Sequence, residues 1–354
     1  MSARRYLHVG LPKSLSTALQ RDFFAAHPAL RHLGVGCGSN VDYCDPDVEL
    51  AVENHLMFCK DLRYREKEAA VQQIFARHFA AADADPRALA VGISNESLSF
   101  STTPGHLDTT VKAQRLRALF GPGAEVILIL RNQPALLRSI YGESIRNGHA
   151  GSYREFLTWL YLYQDRSFLY DILFDRTYDL YAALFGAEHV HVLPLEEHRS
   201  GNDLTFGPDG IATIVTRLCE ILGVPVVPLA IARHNDALPP AVQLVKERLN
   251  RANPHDAGHA LLRGVANMHR LRQYFALDLQ WDASDWLYDD VRRKRALIAQ
   301  ATTEAAVATE TIVDDHCPVE LWDRLRALFA DANRALEQRL GRSLPSSYHD
   351  LEHP

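Results

Sequence analysis

His8-Val9-Gly10-Leu11-Pro12-Lys13-Ser14-Leu15-Ser16-Thr17 runs from a strand into a helix through a polar turn, and its reading decides the fold. Tyr6 to Val9 supply the aromatic and β-branched residues of a buried strand. Gly10 and Pro12 interrupt it, and Ser14, Ser16 and Thr17 are N-cap types ahead of the periodic run Leu19, Phe23, Phe24. The pattern predicts a helix starting near Ser16. Its first N–H groups have no intrahelical partner and the peptide dipoles add partial positive charge, so an anion is stabilised there, with Lys13 supplying a full charge beside it. The same residues also fit an ordinary strand-to-helix turn with a solvated Lys13.

A nucleoside-triphosphate loop, G-x-x-x-x-G-K-[ST], places lysine directly after the second glycine. Here Gly10 lies three residues before Lys13 and Leu15 stands where a further glycine is expected. No acidic metal-holding segment follows, which disfavours an ATPase or kinase.

A second strand-to-helix junction has the same design. Glu125 to Leu130 (Glu-Val-Ile-Leu-Ile-Leu) is a continuous apolar run of the kind buried on both faces of a parallel sheet. It ends in Arg131-Asn132-Gln133-Pro134, after which Leu136, Leu137, Ile140, Tyr141 and Ile145 recur at helical spacing. Arg131 therefore falls at the carboxyl end of a strand, where open α/β sheets bind ligands, and its guanidinium fork suits two phosphate oxygens. Ser139 follows eight residues later, two turns into the helix.

Together the two segments resemble the sulfotransferase family that uses 3′-phosphoadenosine 5′-phosphosulfate (PAPS), in its bacterial carbohydrate- and lipid-type branch. The resemblance implies that Pro12, Lys13, Ser14, Leu15, Ser16 and Thr17 hold the 5′-phosphosulfate, and that Arg131 and Ser139 hold the 3′-phosphate of PAPS and of its product PAP. Phe174-Asp175-Arg176 to Phe185-Gly186 and His189 to Glu196 are similar to the helix and last core strand of bacterial members. The likeness runs from Tyr6 to about Asn250, and Leu15 departs from the usual glycine. The implied reaction moves a sulfonate from PAPS to an acceptor hydroxyl by in-line displacement, with no metal, and with Lys13 and Glu96 as catalytic residues.

Leu89 to Ile93 reads as another buried strand that delivers Ser94-Asn95-Glu96-Ser97-Leu98. By resemblance Glu96 is the general base, and the alternative is that it caps the turn starting at Ser94. His106 and His55 are the other candidate bases. Tyr178 is expected near the adenine or in packing, Arg21 near the nucleotide or in solvent, and Arg233 in a late loop that closes on the cofactor. His189 and His191 share a face of a strand and are read as strand packing and not as a metal site.

Strands near Tyr6–Val9, Leu89–Ile93, Glu125–Leu130 and Val190–Leu193 alternate with helical patterns over Glu66–Ala81, Leu107–Phe120, Pro134–Asn147, Tyr153–Leu162, Asp175–Phe185 and Ile211–Leu222. That alternation predicts an α/β fold, a single parallel sheet flanked by helices in the manner of P-loop-like nucleotide proteins. Residues 1–354 are read as one sulfotransferase-type domain, with 251–354 a mainly helical elaboration serving as lid or acceptor-side part. The helical patterns there are Leu261–Phe275, Val291–Ala308 and Pro318–Leu340. Trp281, Trp286 and Tyr288 are either core or a sugar-stacking surface.

Net charge is −6 from 38 basic and 44 acidic residues with no long basic block, which argues against nucleic-acid binding. Arg292-Arg293-Lys294-Arg295 is a solvated helix face or a contact for an anionic acceptor or membrane surface. No apolar stretch is long enough for a spanning helix, no secretory leader is visible, and the five cysteines at 37, 44, 59, 219 and 317 fit reduced thiols, so a cytoplasmic protein is expected. The expected partner is a small-molecule, glycan or glycolipid acceptor, with a homo-oligomer left open. The rival classes are a kinase-like transferase using a nucleoside triphosphate and Mg²⁺, and a non-catalytic nucleotide-binding protein.

Overall fold

A computed structural model describes residues 2–34, 45–101, 107–198, 208–232, 238–252, 284–307 and 318–351. Five strands, β1 (Arg4–His8), β2 (Leu30–His32), β3 (Ala90–Ser94), β4 (Glu125–Leu130) and β5 (Val190–Pro194), form one sheet in the order β2-β3-β1-β4-β5. Every pairing is parallel: Tyr6 lies opposite Gly92 and Glu125, and Val126 lies opposite Val190.

Period-two alternation splits the strand residues between two apolar layers. Leu7, Val9, Val91, Ile93, Val126, Leu128, Val190 and Val192 enter the larger core. It is filled from α3 (Asp61–Ala84), α4 (Thr109–Phe120), α5 (Gln133–Arg146), α6 (Tyr153–Tyr163) and α7 (Phe174–Phe185). Tyr6, Ala90, Ile127, Ile129 and Leu193 face the other way. There they meet Leu19, Phe23 and Phe24, together with α8 (Pro208–Leu222). Burial on both faces explains why these strands read as unbroken apolar runs.

Three elements escaped the sequence reading: β2, whose Leu30-Arg31-His32 has no apolar period, α2 (Pro46–Leu50), which passes into a π-helical turn, Ala51–Leu56, and the helix α9 (Pro240–Ala252). Helix α9 sits against the end of α5, where Asn250 Nδ2 donates to the carbonyls of Ile145 (2.9 Å) and His149 (2.7 Å). It pairs with α10 (Ser284–Val307) around a small cluster of Val242, Val245, Leu249 and Ala301. The last helix, α11 (Val319–Leu340), instead puts Trp322, Leu325, Phe329, Ala332 and Leu336 into the main core. Its buried Asn333 exchanges amide hydrogen bonds with Gln133 at the start of α5 (2.9 and 3.1 Å). Among the described residues no helix is long and apolar enough to cross a membrane.

Candidate active site

From β1 the chain goes to β2 on one edge of the sheet, whereas from β4 it goes to β5 on the other, so the connections leave β1 and β4 in opposite directions. Such a divergence opens a crevice at the carboxyl ends of the two strands, the usual ligand position in open parallel sheets. The segments that leave there are Val9 to Leu15 from β1 and Arg131–Asn132 from β4. Val9 and Leu11 continue the ladder past the end of β1, donating to Ile127 O (3.1 Å) and Ile129 O (3.3 Å). Gly10 lies between them in a tight place: a Cβ there would come within 2.9 Å of His8 Nε2 and 3.1 Å of Ile129 N.

After Pro12 the backbone turns through two left-handed residues, Lys13 (φ 61°) and Leu15 (φ 70°). For residues with a Cβ this conformation costs roughly 1–2 kcal/mol each. Leu15 thus adopts a conformation that a glycine would adopt without strain. It occupies the N-cap position of α1 (Ser16–Ala18), which runs on into a π-helical turn, Leu19–Phe24. The helix starts where the sequence predicts, but its capping differs from the expectation. No side chain caps it; Ser16 Oγ turns back to donate to Leu11 O at 3.1 Å, and Ser14 is buried. The Ser16 hydroxyl, of an N-cap type in the sequence, closes the turn instead.

Arg131 reaches across the crevice and donates from Nη1 to the carbonyl oxygen of Lys13 at 3.0 Å. Residues 118 apart in the chain are thereby tied together at one point. Lys13 Nζ lies 3.3 Å from Glu143 Oε2, with both side chains partly exposed, and Arg146 shares that oxygen at 3.8 Å. Glu143 is one helical turn beyond Ser139, so the half-buried Ser139 is on the α5 face that meets Lys13. Asn132 caps α5 by accepting from Ala135 N (3.0 Å), and Glu196, just past β5, accepts from Asn132 N and Nδ2 (3.2 and 2.9 Å).

Glu96 follows β3 and opens a 3-10 turn, Glu96–Leu98. The cap of that turn is Asn95, whose side chain accepts from Ser97 N at 2.8 Å; Glu96 does not cap it. Instead the half-buried Glu96 accepts from Gln20 Nε2 at 3.1 Å, and the same amide donates to Ser94 O at 3.2 Å. Gln20 is on the π-helical turn behind the Lys13 loop, so one buried amide links loop and carboxylate.

Beneath Glu96 the fully buried Lys112 donates to Ser97 O at 2.7 Å. Burial lowers its pKa to about 8, partly countered by Asp171 and Asp108. Asp171 in turn accepts from Ser101 N and Thr109 Oγ1, both at 2.8 Å, and burial raises its pKa. Lys112 and Asp171 hold the turn from its inner side. Neither was singled out in the sequence, where nothing local marks a lysine on α4 as facing inwards.

No family model and no curated protein matches the chain. Among solved structures it is similar to one described as a sulfotransferase from Alicyclobacillus acidocaldarius, with 17% identity over 98% of this chain and 99% of that one and a TM-score of 0.47. Likeness at this level does not define chemistry, which has to come from the residues themselves.

The other candidate residues are dispersed. Tyr178 is buried in α7 among the core, within electrostatic reach of Arg339 on α11. Arg21 is exposed. His55 is in the π-helical turn after α2, its pKa lowered by burial and then by Lys67, Arg63 and Arg115. Arg233, His106, Cys37, Cys44, Cys317, Trp281 and the Leu261–Phe275 segment lie outside the described residues, as do the side chains of Trp286 and Tyr288. Arg292, Arg293 and Arg295 are exposed on α10, and Cys59 and Cys219 are buried free thiols.

His189 and His191 have a carboxylate between them that comes from a distant part of the chain. Glu125 of the neighbouring strand bonds His191 at 2.7 Å and His189 at 3.3 Å. It was missed because the contact crosses from β5 to β4, 64 and 66 residues away.

Proposed function

We propose that the protein transfers a sulfonate from PAPS to the hydroxyl of a small-molecule, glycan or glycolipid acceptor. The observation that carries this reading is the Arg131 guanidinium on the Lys13 carbonyl, because it brings the two sequence segments that resemble the 5′-phosphosulfate and 3′-phosphate sites to one crevice. The strained Lys13–Leu15 turn, without a side-chain cap on the helix it opens, adds backbone donors suited to an anion.

In this reading Pro12 to Thr17 hold the phosphosulfate, and Arg131 with Ser139 holds the 3′-phosphate. Glu96 accepts the acceptor's proton as its oxygen bonds to sulfur, while the bond from sulfur to the bridging phosphate oxygen breaks and PAP leaves with that electron pair. Lys13 moves from Glu143 to the oxygen on which charge grows and stabilises it there. Gln20 keeps the Glu96 carboxylate oriented.

A thermal-shift panel tests the reading, since a ligand that binds only the native state raises its stability with concentration. PAP is expected to raise Tm, with ATP plus Mg²⁺ and AMP much weaker. Preference for ATP with Mg²⁺ would overturn it in favour of a phosphoryl transferase. Labelled PAPS with candidate acceptors then tests transfer, and PAP binding without any turnover would indicate a nucleotide-binding protein.

A further inference from the structure

Asp45, Asp47 and His78 meet where the chain enters α2 beside α3, and none of them belongs to the crevice described above. Asp45 N donates to Leu33 O at 3.1 Å, which ties this point to the end of β2. As the N-cap of α2, Asp45 uses Oδ1 to accept from Asp47 N at 3.1 Å, leaving Oδ2 directed to His78 on α3. Arg77, next to His78, pairs with Oδ2 of the exposed Asp47.

His78 is only 7% exposed, and its Nε2 is buried without a hydrogen-bond partner. The nearest acidic oxygen, Asp45 Oδ2, is 3.4 Å away and makes no hydrogen bond with it. Two donors each bound to a tetrahedral zinc ion at about 2.0–2.1 Å are themselves about 3.4 Å apart. One donor atom from each of the three residues lies within 4.8 Å of the others. An imidazole nitrogen and two carboxylates neutralise a dication, and Arg77 engages one Asp47 oxygen as outer partners of ligating carboxylates do.

We infer that Asp45, Asp47 and His78 form a binding site for a divalent metal of the zinc class, fastening the entry of α2 to α3 and leaving a fourth position for water. The resemblance implies a reaction without a metal, and this cluster was not singled out in the sequence, where His78 is 31 residues from Asp47. The ion has no part in the sulfonate transfer proposed above, and the site stands whether or not that reading holds.

The test is isothermal titration of the full-length protein, stripped with a chelator and dialysed, with Zn²⁺, Mn²⁺, Mg²⁺ and Ca²⁺. One equivalent of Zn²⁺ is expected to bind at micromolar or lower concentration, more tightly than Mg²⁺ or Ca²⁺, with Tm rising as Zn²⁺ is added. His78→Phe and Asp47→Asn are each expected to weaken that binding by about tenfold or more. Asp47 is exposed, so Asp47→Asn decides the matter even if the His78 variant fails to fold. Absence of stoichiometric binding, preference for Mg²⁺ or Ca²⁺, or unchanged Zn²⁺ affinity in Asp47→Asn would overturn the site, the last by assigning the ion to others of the 17 histidines.

Discussion

The two ends of one sheet carry charged groups in opposite conditions. At the amino end of β1, β4 and β5 both oxygens of Glu125 are engaged: Oε1 by Arg4 at 3.0 Å, and Oε2 by His191 at 2.7 Å and His189 at 3.3 Å. Burial pushes the Glu125 carboxyl up, but the bonds from His191 and His189 and the charge of Arg4 outweigh it and hold it below the ordinary value. At the carboxyl end Lys13 shares one half-exposed carboxylate with Arg146, and the backbone beside it is left-handed at two residues that bear side chains. A closed set of charges stabilises the fold. A cation on a strained loop, with a partner that an incoming anion can displace, is what the proposed ligand site requires.

Lys13→Ala tests that contrast with the largest effect. If Lys13 stabilises the charge that develops on the leaving oxygen, as proposed, its removal is expected to lower sulfonate transfer by about 100-fold or more. Stability should change by no more than about 1 kcal/mol, because the lost ion pair is partly open to solvent. Unchanged turnover, or unfolding in place of lost turnover, would put Lys13 in the same class as Arg4.

Glu96→Gln comes next, with about 100-fold lost if the carboxylate is the base. A carboxylate base works deprotonated, so wild-type turnover falls as pH drops through its titration, and the glutamine variant lacks that acidic limb. The Gln20 amide bonds a glutamine oxygen as well as a carboxylate, so the fold is retained. His106→Ala is the control, and loss of the limb there instead would move the base to histidine.

Glu125→Gln probes the other end of the sheet. It removes the negative charge and leaves one amide oxygen in place of the two carboxylate oxygens that Arg4, His189 and His191 engage, and a loss of about 1–3 kcal/mol is expected with PAP affinity unchanged. Since the folded-state pKa of Glu125 is depressed, its contribution is present above the ordinary glutamate value and is lost as pH falls through the folded one. Denaturant unfolding of both proteins at neutral and acid pH should therefore show the gap closing on acidification. A constant gap would mean that Glu125 acts by packing and not by charge.

What was legible in the sequence follows the same division. β4 could be read residue for residue, from Glu125 to Leu130, because a strand buried on both faces has no polar interruption. Lys13 and Arg131 were legible as ends of such strands, where polar residues follow apolar runs. The partners of those residues were not: Glu143 with Lys13, Gln20 with Glu96 and Glu125 with the histidine pair are contacts between elements, and no local period marks them. Leu15 is the clearest case, since a leucine gives no local sign that its backbone is left-handed. Position within the fold imposes that conformation against the residue's own preference.

Glu143→Gln has the smallest expected effect and sharpens the contrast most. If Glu143 only occupies Lys13 until an anion arrives, neutralising it removes a competitor and tightens PAP binding. A solvent-accessible pair is worth about 0.2–1 kcal/mol, so the gain is roughly 1.4- to fivefold in Kd, measured by titration at low salt. It should shrink as ionic strength rises, because both side chains are partly open to solvent. Weaker binding in this variant would mean the reverse: that Glu143 holds Lys13 in its working position and that the carboxyl end is as fixed an ion network as the amino end. The two ends would then differ only in backbone strain, and the case for ligand binding would rest on the Lys13–Leu15 turn and Arg131 alone.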